Sequence, residues 1–318
     1  MKAFRMFHHP GLLALFVIFS ASEYTFAQQT VLLPRPSQKA SVMQRVGVTD
    51  LTINYSRPAV KERKIWGDPP ATTTVGGTAT LDDARSRAKD AVIVPYGHVW
   101  RTGANEATQF ITTDDVLING QPLKAGTYSL HTIPGKTAWT VIFNKKGEQW
   151  GSYEYDQTQD ALRIQVEPKI GPSQEWMGFS FPDVTSEAAT VELAWEKLRV
   201  PFRIETNTRD QALANIRQTL SGEVKDWEDP YGAANYAFNS NLDNKAEAMK
   251  WIDQSLAMEE NYWNLRLKAS MLEKEGKKKE AIALAEKAVK IGKEKKEPPS
   301  EVAKTEKQIS DWKASIGG

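Results

Sequence analysis

The chain of 318 residues contains no cysteine. Disulfide bonds are therefore excluded, and the stability of the fold has to come from its packed core. A bacterial lipoprotein anchor is excluded for the same reason, because that lipid is carried by a cysteine just after the signal sequence. The sequence therefore predicts that the protein is not a lipoprotein.

Histidine is nearly as scarce, with four residues in the chain. His8 and His9 lie near the N-terminus, which leaves His98 and His131 for chemistry in the rest of the protein. A zinc site would need carboxylates such as Glu106 beside these two histidines, and no sequence spacing brings such ligands together. The sequence therefore predicts no metal site and no cofactor.

An excess of charge of one sign is also missing. Lys and Arg together number 41 and Asp and Glu 40, so the formal net charge is +1. A nucleic-acid partner requires a basic face that displaces counterions from the phosphate backbone. We therefore expect no nucleic-acid partner.

Long hydrophobic runs are confined to the N-terminus. Lys2 and Arg5 precede the short apolar run Gly11–Ser20, and small residues follow up to Ala27. The run is shorter than the roughly 20 residues that span a bilayer. We interpret residues 1–27 as a signal peptide cut after Ala27, with an uncleaved N-terminal anchor as the alternative. The mature protein is then expected to be exported, periplasmic or extracellular, and without a membrane anchor.

Residues 28–206 show the two-residue alternation of β-strands. Asn119-Gly120 follows the strand pattern Val116–Ile118 and gives the strongest short-range signal for a β-hairpin. The other predicted strands are Leu51–Tyr55, Ala91–Val94, Ala107–Thr112, Thr127–Ile133, Ala138–Phe143, Leu162–Val166 and Glu175–Phe181. About eight or nine short strands without helical crossovers predict an antiparallel β-sandwich or jelly-roll-like domain.

Two stretches of this domain depart from regular alternation. Apolar residues change parity between Trp195 and Leu198, which predicts a β-bulge near Glu196-Lys197. The segment Asp68–Asp90 is rich in Pro, Thr and Gly and then charged, which predicts a long surface loop. Such a loop is either a lid over a site or a tolerated insertion.

Residues 207–318 show a helical period. Six helices are predicted, at Arg209–Leu220, Pro230–Ser240, Lys245–Met258, Tyr262–Glu275, Lys278–Gly292 and Ser300–Ser315. Ala269, Ala281 and Ala288 resemble the small positions at which paired helices cross in tetratricopeptide repeats, and Ala248 and Ser255 match the last two of them 33 residues earlier. Departures from that pattern are Tyr236 at the small position of the earlier repeat and a missing closing proline. We expect a small α-helical repeat domain, with the outer helices as caps.

Common catalytic motifs are absent from the sequence. It has no G-x-S-x-G, no H-E-x-x-H, no phosphate-binding glycine loop and no complete calcium loop. The candidates that remain for acid/base chemistry are Glu106 with His98 or His131. They would serve a hydrolase of glycans or peptides only if the fold holds them within a few ångströms of one another.

Two stretches, Tyr55–Gly67 and Tyr96–Thr108, are dense in polar and aromatic residues. Arginine suits carboxylates and phosphates, tryptophan stacks on flat ligands, and Asn and Glu direct hydrogen bonds. The ligand-binding candidates are Tyr55, Arg57, Arg63, Trp100, Arg101, Asn105 and Glu106. The alternative interpretation is that Arg101 and Glu106 pair with each other or with nearby charges and merely lock the loops.

Tryptophan is abundant, with ten residues. Trp139 and Trp195 share parity with apolar neighbours and are predicted to be in the core. Trp66, Trp100 and Trp150 flank turns and are the candidates for stacking on a sugar.

The two polar stretches resemble an exported family known as the domain of unknown function 2911. The resemblance covers Pro34 to Ile204 and rests above all on the string WRTGANEAT at residues 100–108. It continues at Tyr55, Arg57, Pro58, Lys61, Arg63, Gly67, Pro95-Tyr96-Gly97, Gly120, Leu123, Ala125–Tyr128 and Trp139. The family brings no established activity, and Asp68–Asp90 is longer than expected between its two polar blocks.

The sequence as a whole predicts three domains of the precursor: the signal peptide 1–27, a β-domain 28–206 and a helical repeat domain 207–318. We expect an exported binding or interaction protein of the cell envelope rather than an enzyme. The helical repeats would contact a protein partner, and the β-domain a glycan or peptide. The alternatives are an envelope hydrolase and a glycan-binding module.

Overall fold

The computed structural model describes residues 33–68, 91–240 and 244–316. The predicted signal peptide 1–27 lies outside the described residues. So does the predicted surface loop Asp68–Asp90 except for its first residue, Asp68. Within the described ranges, we find no helix long and apolar enough to cross a membrane.

Twelve strands lie in the described residues of the N-terminal part. In chain order they are β1 (Gln38–Val46), β2 (Thr49–Arg57), β3 (Trp66–Gly67), β4 (Val94–Pro95), β5 (Thr108–Thr112), β6 (Val116–Ile118), β7 (Gln121–Leu123), β8 (Gly126–Ile133), β9 (Trp139–Asn144), β10 (Asp160–Val166), β11 (Lys169–Val184) and β12 (Ala188–Thr206). A six-stranded antiparallel sheet has the order β1-β2-β5-β8-β9-β10, and a four-stranded one has the order β11-β12-β6-β7. The short strands β3 and β4 pair in parallel.

The two large sheets enclose one apolar core. Alternate residues of each strand point into it, and Phe143 of the six-stranded sheet packs edge-on against Phe202 of the other at 5.9 Å between ring centroids. Phe110 and Phe143 make a similar contact within the first sheet, at 5.1 Å. This face-to-face packing confirms the predicted antiparallel β-sandwich.

The predicted strands are confirmed where the alternation of apolar residues is regular, whereas one strand was missed and one is shorter than predicted. The hairpin at Asn119-Gly120 is present between β6 and β7, and both turn residues have positive φ, as this turn requires. Strand β1 was not predicted, and the predicted strand Ala91–Val94 is reduced to the two residues of β4. The parity change of β12 falls at Glu196, where φ is +52° and the pairing with β11 shifts register. The predicted bulge is thereby confirmed.

In the C-terminal part, the described residues form six helices at nearly the predicted positions. They are α1 (Thr208–Leu220), α2 (Glu228–Asn239), α3 (Lys245–Met258), α4 (Tyr262–Lys274), α5 (Lys278–Lys295) and α6 (Pro299–Ala314). Asn261 caps α4 through a reciprocal capping box with Asn264, and Gly276 follows the end of α4 with φ of +81°. Helix α6 begins at Pro299, one residue before the predicted start at Ser300, and a proline suits this first turn.

Small residues lie where the paired helices cross. Ala269, Ala281 and Ala288 are fully buried between α4 and α5, and Ala248 and Ser255 are buried on α3. Their burial lets neighbouring helices approach closely, as in other helical repeats. Together with the β-sandwich, this region gives the chain a β plus α, two-domain layout.

The two parts follow each other directly. Strand β12 ends at Thr206, α1 begins at Thr208, and the hydroxyl groups of these two residues are hydrogen-bonded at 2.8 Å. Thr49 of β2 donates to Gln211 of α1 at 3.1 Å, which ties the first helix to the sandwich. The junction therefore consists of packed residues rather than a free linker.

Candidate functional site

A row of polar side chains crosses the outer face of the six-stranded sheet. Successive register partners on β1, β2, β5, β8, β9 and β10 are Ser41, Asn54, Gln109, Ser129, Asn144 and Asp160. They alternate with the residues that point into the core, so they share the opposite face. Hydrogen bonds run along the row from Asn54 to Gln109 at 3.4 Å and from Asn144 to Asp160 at 2.8 Å.

Residues 145–159 cover the middle of this row. Gln149 and Ser152 of that segment are buried, and so are Ser129 and His131 of β8 beneath them. His131 is fully enclosed: Nδ1 lies 3.2 Å from Ser152 Oγ and Nε2 lies 3.1 Å from Ser129 Oγ. Both nitrogens of the ring are therefore engaged by serine hydroxyl groups.

The environment of His131 keeps its ring neutral. Burial lowers the pKa of His131 from 6.5 to about 3, and the charge of Arg101 lowers it further in the same direction. The ring of Tyr155 lies 5.1 Å away, and Tyr155 donates to Asp160 at 2.7 Å. Burial, followed by the hydrogen bond to Asp160, raises the pKa of Tyr155. Neither group carries charge near neutral pH.

The side-chain amide of Gln149 has a fixed orientation, and its oxygen has no hydrogen-bond partner among the described residues. Its Nε2 donates to Ser129 Oγ at 3.1 Å and to the carbonyl of Lys146 at 3.2 Å. Because the backbone carbonyl of Lys146 can only accept a hydrogen bond, the amide atom of Gln149 that faces it must be the nitrogen. The residue is 8% exposed, and its Oε1 has no hydrogen-bond partner among the described residues. Buried acceptors are almost always paired in proteins, so this atom requires an explanation.

Gln149 lines a cavity of about 240 Å³ at the edge of the covering segment, which we call the Gln149 cavity. The described residues around it are Lys39, Asn54, Tyr55, Ser56, Glu106, Ala107, Gln109, Glu148 and Gln149. Most of these are polar or charged, and they include two carboxylates and one ammonium group. The cavity therefore combines directed hydrogen-bonding groups with a modest negative charge.

Only some of the ligand-binding residues predicted from the sequence line the Gln149 cavity. Tyr55 and Glu106 both line the Gln149 cavity. The three arginines bind backbone carbonyls instead: Arg57 Nε donates to Met177 at 2.8 Å, Arg63 donates to Ala59 and Val60, and Arg101 Nη1 donates to Asn105 at 2.6 Å. These contacts with the backbone hold the loops in place.

The string WRTGANEAT folds into a loop held by its own hydrogen bonds. Thr108 Oγ1 donates to the carbonyl of Thr102 at 2.7 Å, and Asn105 Nδ2 donates to Ser37 at 3.0 Å. Thr102 and Asn105 both have φ near +57°, an uncommon conformation for residues other than glycine. The loop thereby delivers Glu106 to the cavity wall in a fixed position.

Four tryptophans form a cluster in the core rather than a binding surface. Trp66 packs edge-on against Trp100, Trp139 and Trp195, with ring centroids 5.0–5.7 Å apart. Trp100 is 8% exposed, and its Nε1 donates to the carbonyl of Gly103 at 3.0 Å. Of the three predicted sugar-stacking candidates, Trp150 is the most exposed residue, at 52%.

The predicted acid/base candidates occupy separate environments. His98 is buried and its Nδ1 lies 3.0 Å from the carbonyl of Tyr96, whereas His131 is held between two serines. Glu106 lines the Gln149 cavity, which neither histidine lines. The arrangement offers no exposed imidazole beside Glu106 in the part of the chain that the structure describes.

The helical domain carries a larger groove of about 880 Å³ between α3, α4 and α5. Its apolar floor includes Met249, Leu272 and Leu284. The charges around it pair among themselves, for example Lys268 with Asp253 at 2.6 Å. No lining residue that the structure describes has an unpaired buried polar atom. A protein partner for this groove stays a prediction.

Sequence reasoning missed most of the cavity. Lys39, Asn54, Gln109, Glu148 and Gln149 belong to no motif and are brought together by strand register and by the covering segment. The one usable signal was parity, because Asn54 and Gln109 alternate with apolar residues on two predicted strands.

Comparison with known proteins identifies one family. Residues 37–204 match the family described as "Protein of unknown function (DUF2911)". No curated protein and no solved structure matches the chain. The family match takes in both polar stretches and every described residue of the Gln149 cavity, and it spans more than half of the chain. The chain therefore belongs to the DUF2911 family.

Proposed function

We propose that this protein is an exported binding protein of the cell envelope that holds one small polar ligand in the Gln149 cavity. The observation that carries the proposal is the lining of that cavity by directed polar and charged side chains, among them those of Asn54, Gln109 and Gln149. These side chains offer hydrogen-bond donors and acceptors to a small ligand, at about 0.5–1.5 kcal/mol for each bond formed. Export rests on the N-terminal sequence pattern alone.

The size of the cavity limits the ligand. Pockets for drug-sized molecules hold roughly 300–1,000 Å³. At about 240 Å³, the Gln149 cavity suits a monosaccharide, an amino acid or the end of a longer molecule. The proposal is therefore recognition of one small unit rather than of a long polymer.

Binding is favoured over hydrolysis by the state of the candidate catalytic groups. A general base needs an accessible, correctly protonated atom within hydrogen-bond reach of the substrate. His131 is fully buried with both nitrogens engaged, and its lowered pKa keeps it neutral. Among the described residues, the cavity then provides recognition groups and carboxylates but no histidine to act with Glu106.

The side-chain amides of Asn54, Gln109 and Gln149 provide direct reporters of binding. We expect a panel of neutral sugars, amino acids, amines and carboxylic acids, screened by two-dimensional ¹⁵N NMR on the full chain after the signal peptide, to contain ligands. Those ligands should shift the amide resonances of these three side chains. A panel without any binder, or binders that leave all three amides unmoved, would contradict the proposal.

A matched pair of substitutions tests the role of Gln149. Gln149→Met keeps the length of the side chain but removes Oε1, so the affinity for ligands found in the panel should fall about tenfold. Gln165→Met removes an exposed amide on the same face of the same sheet, on β10. It should leave affinity unchanged. Equal affinity of the two variants would place the ligand elsewhere.

A further inference from the structure

We propose that residues 145–159, the covering segment, act as a strap that opens in weak acid while the β-sandwich beneath it stays folded. Opening uncovers the middle of the polar row on the six-stranded sheet. The proposal needs no ligand, so it is tested independently of the proposed binding function. It depends on three features: the closed ends of the segment, its shortage of buried apolar side chains, and the enclosed ring of His131 beneath it.

The two ends of the covering segment meet at the base of a strand pair. Lys145 N donates to the carbonyl of Gln159 at 2.9 Å, and Asn144 Nδ2 donates to the carbonyl of Asp156 at 2.9 Å. Asn144 of β9 and Asp160 of β10 are register partners, so these strands stay paired up to the segment. A surface segment of this length whose ends adjoin is an Ω-loop. It can therefore move away without breaking the pairing of β9 with β10.

The covering segment, which the structure describes completely, has little apolar burial. Its buried residues are Gln149, Gly151 and Ser152, whereas its aromatic side chains Trp150 and Tyr153 are about half exposed. Regions with few buried apolar contacts open locally at a lower free energy than core strands do. The segment is therefore expected to open before the two sheets separate.

Hydrogen bonds hold the covering segment on the sheet. Gly151 N donates to the carbonyl of Asn105 at 3.0 Å, and Ala107 N donates to the carbonyl of Gln149 at 3.0 Å. The side chain of Gln149 also donates to Ser129 Oγ at 3.1 Å. Water replaces these partners when the segment opens, so each bond adds little net stability to the closed state. The strap is thus closed by hydrogen bonds rather than by a core of its own.

The ring of His131 makes the closed strap sensitive to acid. Arg101 is a permanent cation whose charge opposes a second positive charge on this ring. Tyr155 packs against the ring, and its hydroxyl group donates to Asp160; Glu106 lines the adjoining Gln149 cavity. The other charged side chains of the segment are exposed, namely Lys145, Lys146, Glu148, Glu154 and Asp156. The closed strap therefore disfavours a charged imidazole, whereas water stabilises one once the strap is open.

Proton binding to His131 links opening of the strap to pH. With the strap closed, burial and then the charge of Arg101 lower the pKa of His131 to about 3, and in water it returns towards 6.5. Above pH 6.5 the ring is neutral in both states, so pH does not favour opening. As the pH falls from 6.5 towards 3, only the open state binds the proton. Between pH 7 and pH 5 the equilibrium constant for opening should therefore rise about 20- to 30-fold.

Hydrogen exchange of the full chain after the signal peptide, followed by mass spectrometry, separates opening of the strap from unfolding of the domain. At pH 7, corrected for intrinsic rates, amides of residues 145–159 should exchange at least about tenfold faster than those of β8 and β9. Their opening constant should rise about 20- to 30-fold at pH 5. Low urea should speed exchange in β8 and β9 but not in the strap, because local opening exposes little surface. Strap amides that follow β8 and β9 in both rate and urea dependence would overturn the proposal.

Two substitutions assign the pH response to His131. His131→Gln removes the titrating ring, so the opening constant of the strap should change by less than about threefold between pH 7 and pH 5. Glu154→Gln, the control, removes an exposed carboxylate that pairs with Lys146, and it should keep the full response. An unchanged response in His131→Gln would contradict the proposal. The wild-type profile decides the case even if that variant does not fold: the rise should begin near pH 6.5, and a rise that begins only below about pH 5, where carboxylates titrate, would also overturn it.

Discussion

Between about pH 7 and pH 4 this protein is expected to lose about 3 kcal/mol of its free energy of unfolding through the single residue His131. In the folded protein the pKa of His131 is lowered to about 3, first by burial and then by the charge of Arg101. In the unfolded chain the same ring titrates near its ordinary value of 6.5. The folded state thus keeps a neutral imidazole where the unfolded state takes up a proton.

The sign of the effect follows from proton binding. Above pH 6.5 neither state protonates His131, and its full contribution to stability is present. As the pH falls from 6.5 towards 3, the unfolded state binds one proton more than the folded state, so stability declines by about 1.4 kcal/mol per pH unit. Only below pH 3 does the folded protein also bind the proton, and the decline from this residue stops.

Substitution of His131 isolates its share of the acid sensitivity. The amide of Gln in His131→Gln can still bond to Ser129 and Ser152 but does not titrate. The difference in stability between the two proteins, from urea unfolding at a series of pH values, should therefore change by about 3 kcal/mol between about pH 7 and pH 4. Parallel curves over that range, or a His131 NMR resonance that titrates near pH 6, would contradict the assignment.

Local patterns in the sequence were sufficient to predict most of the secondary structure. The six helices, the hairpin at Asn119-Gly120 and the bulge at Glu196 all have causes within a few residues, namely helical periodicity, turn chemistry and a change of parity. Strand β1 was missed because its alternation is weak in the sequence: Ala40 and Val42 on the inner face are small and only partly buried, while the apolar Met43 lies on the exposed face.

The candidate site was less accessible to sequence reasoning because its parts meet through long-range register. Arg57, Arg63 and Arg101 have the right chemistry for a ligand, yet each satisfies a backbone carbonyl in its own region. Glu106 and Gln149 line one cavity because the segments around residues 106 and 150 meet in an isolated antiparallel bridge. No local pattern encodes that pairing. Cavities built from β-domain loops are therefore harder to predict than the strands that support them.

The second large effect on the free energy of unfolding is expected from substitutions in the tryptophan cluster. Trp139 is fully buried and packs edge-on against Trp66 at 5.0 Å, so Trp139→Ala should lower the free energy of unfolding by about 3–5 kcal/mol through lost contacts and a cavity. The indole N–H of Trp139 has no acceptor among the described residues. Trp139→Phe should therefore cost much less, because it breaks no hydrogen bond and removes an unpaired buried donor.

Trp100 provides the matched comparison within the same cluster. Its Nε1 donates to the carbonyl of Gly103 at 3.0 Å, so Trp100→Phe removes a hydrogen bond as well as part of a ring. The loss of that bond adds about 1–3 kcal/mol, so Trp100→Phe should be more destabilising than Trp139→Phe in urea unfolding followed by circular dichroism. Equal costs would mean that ring volume alone determines stability here. The predicted order instead makes Trp100 the anchor of the loop that carries Glu106, which links the stability of the core to the geometry of the cavity.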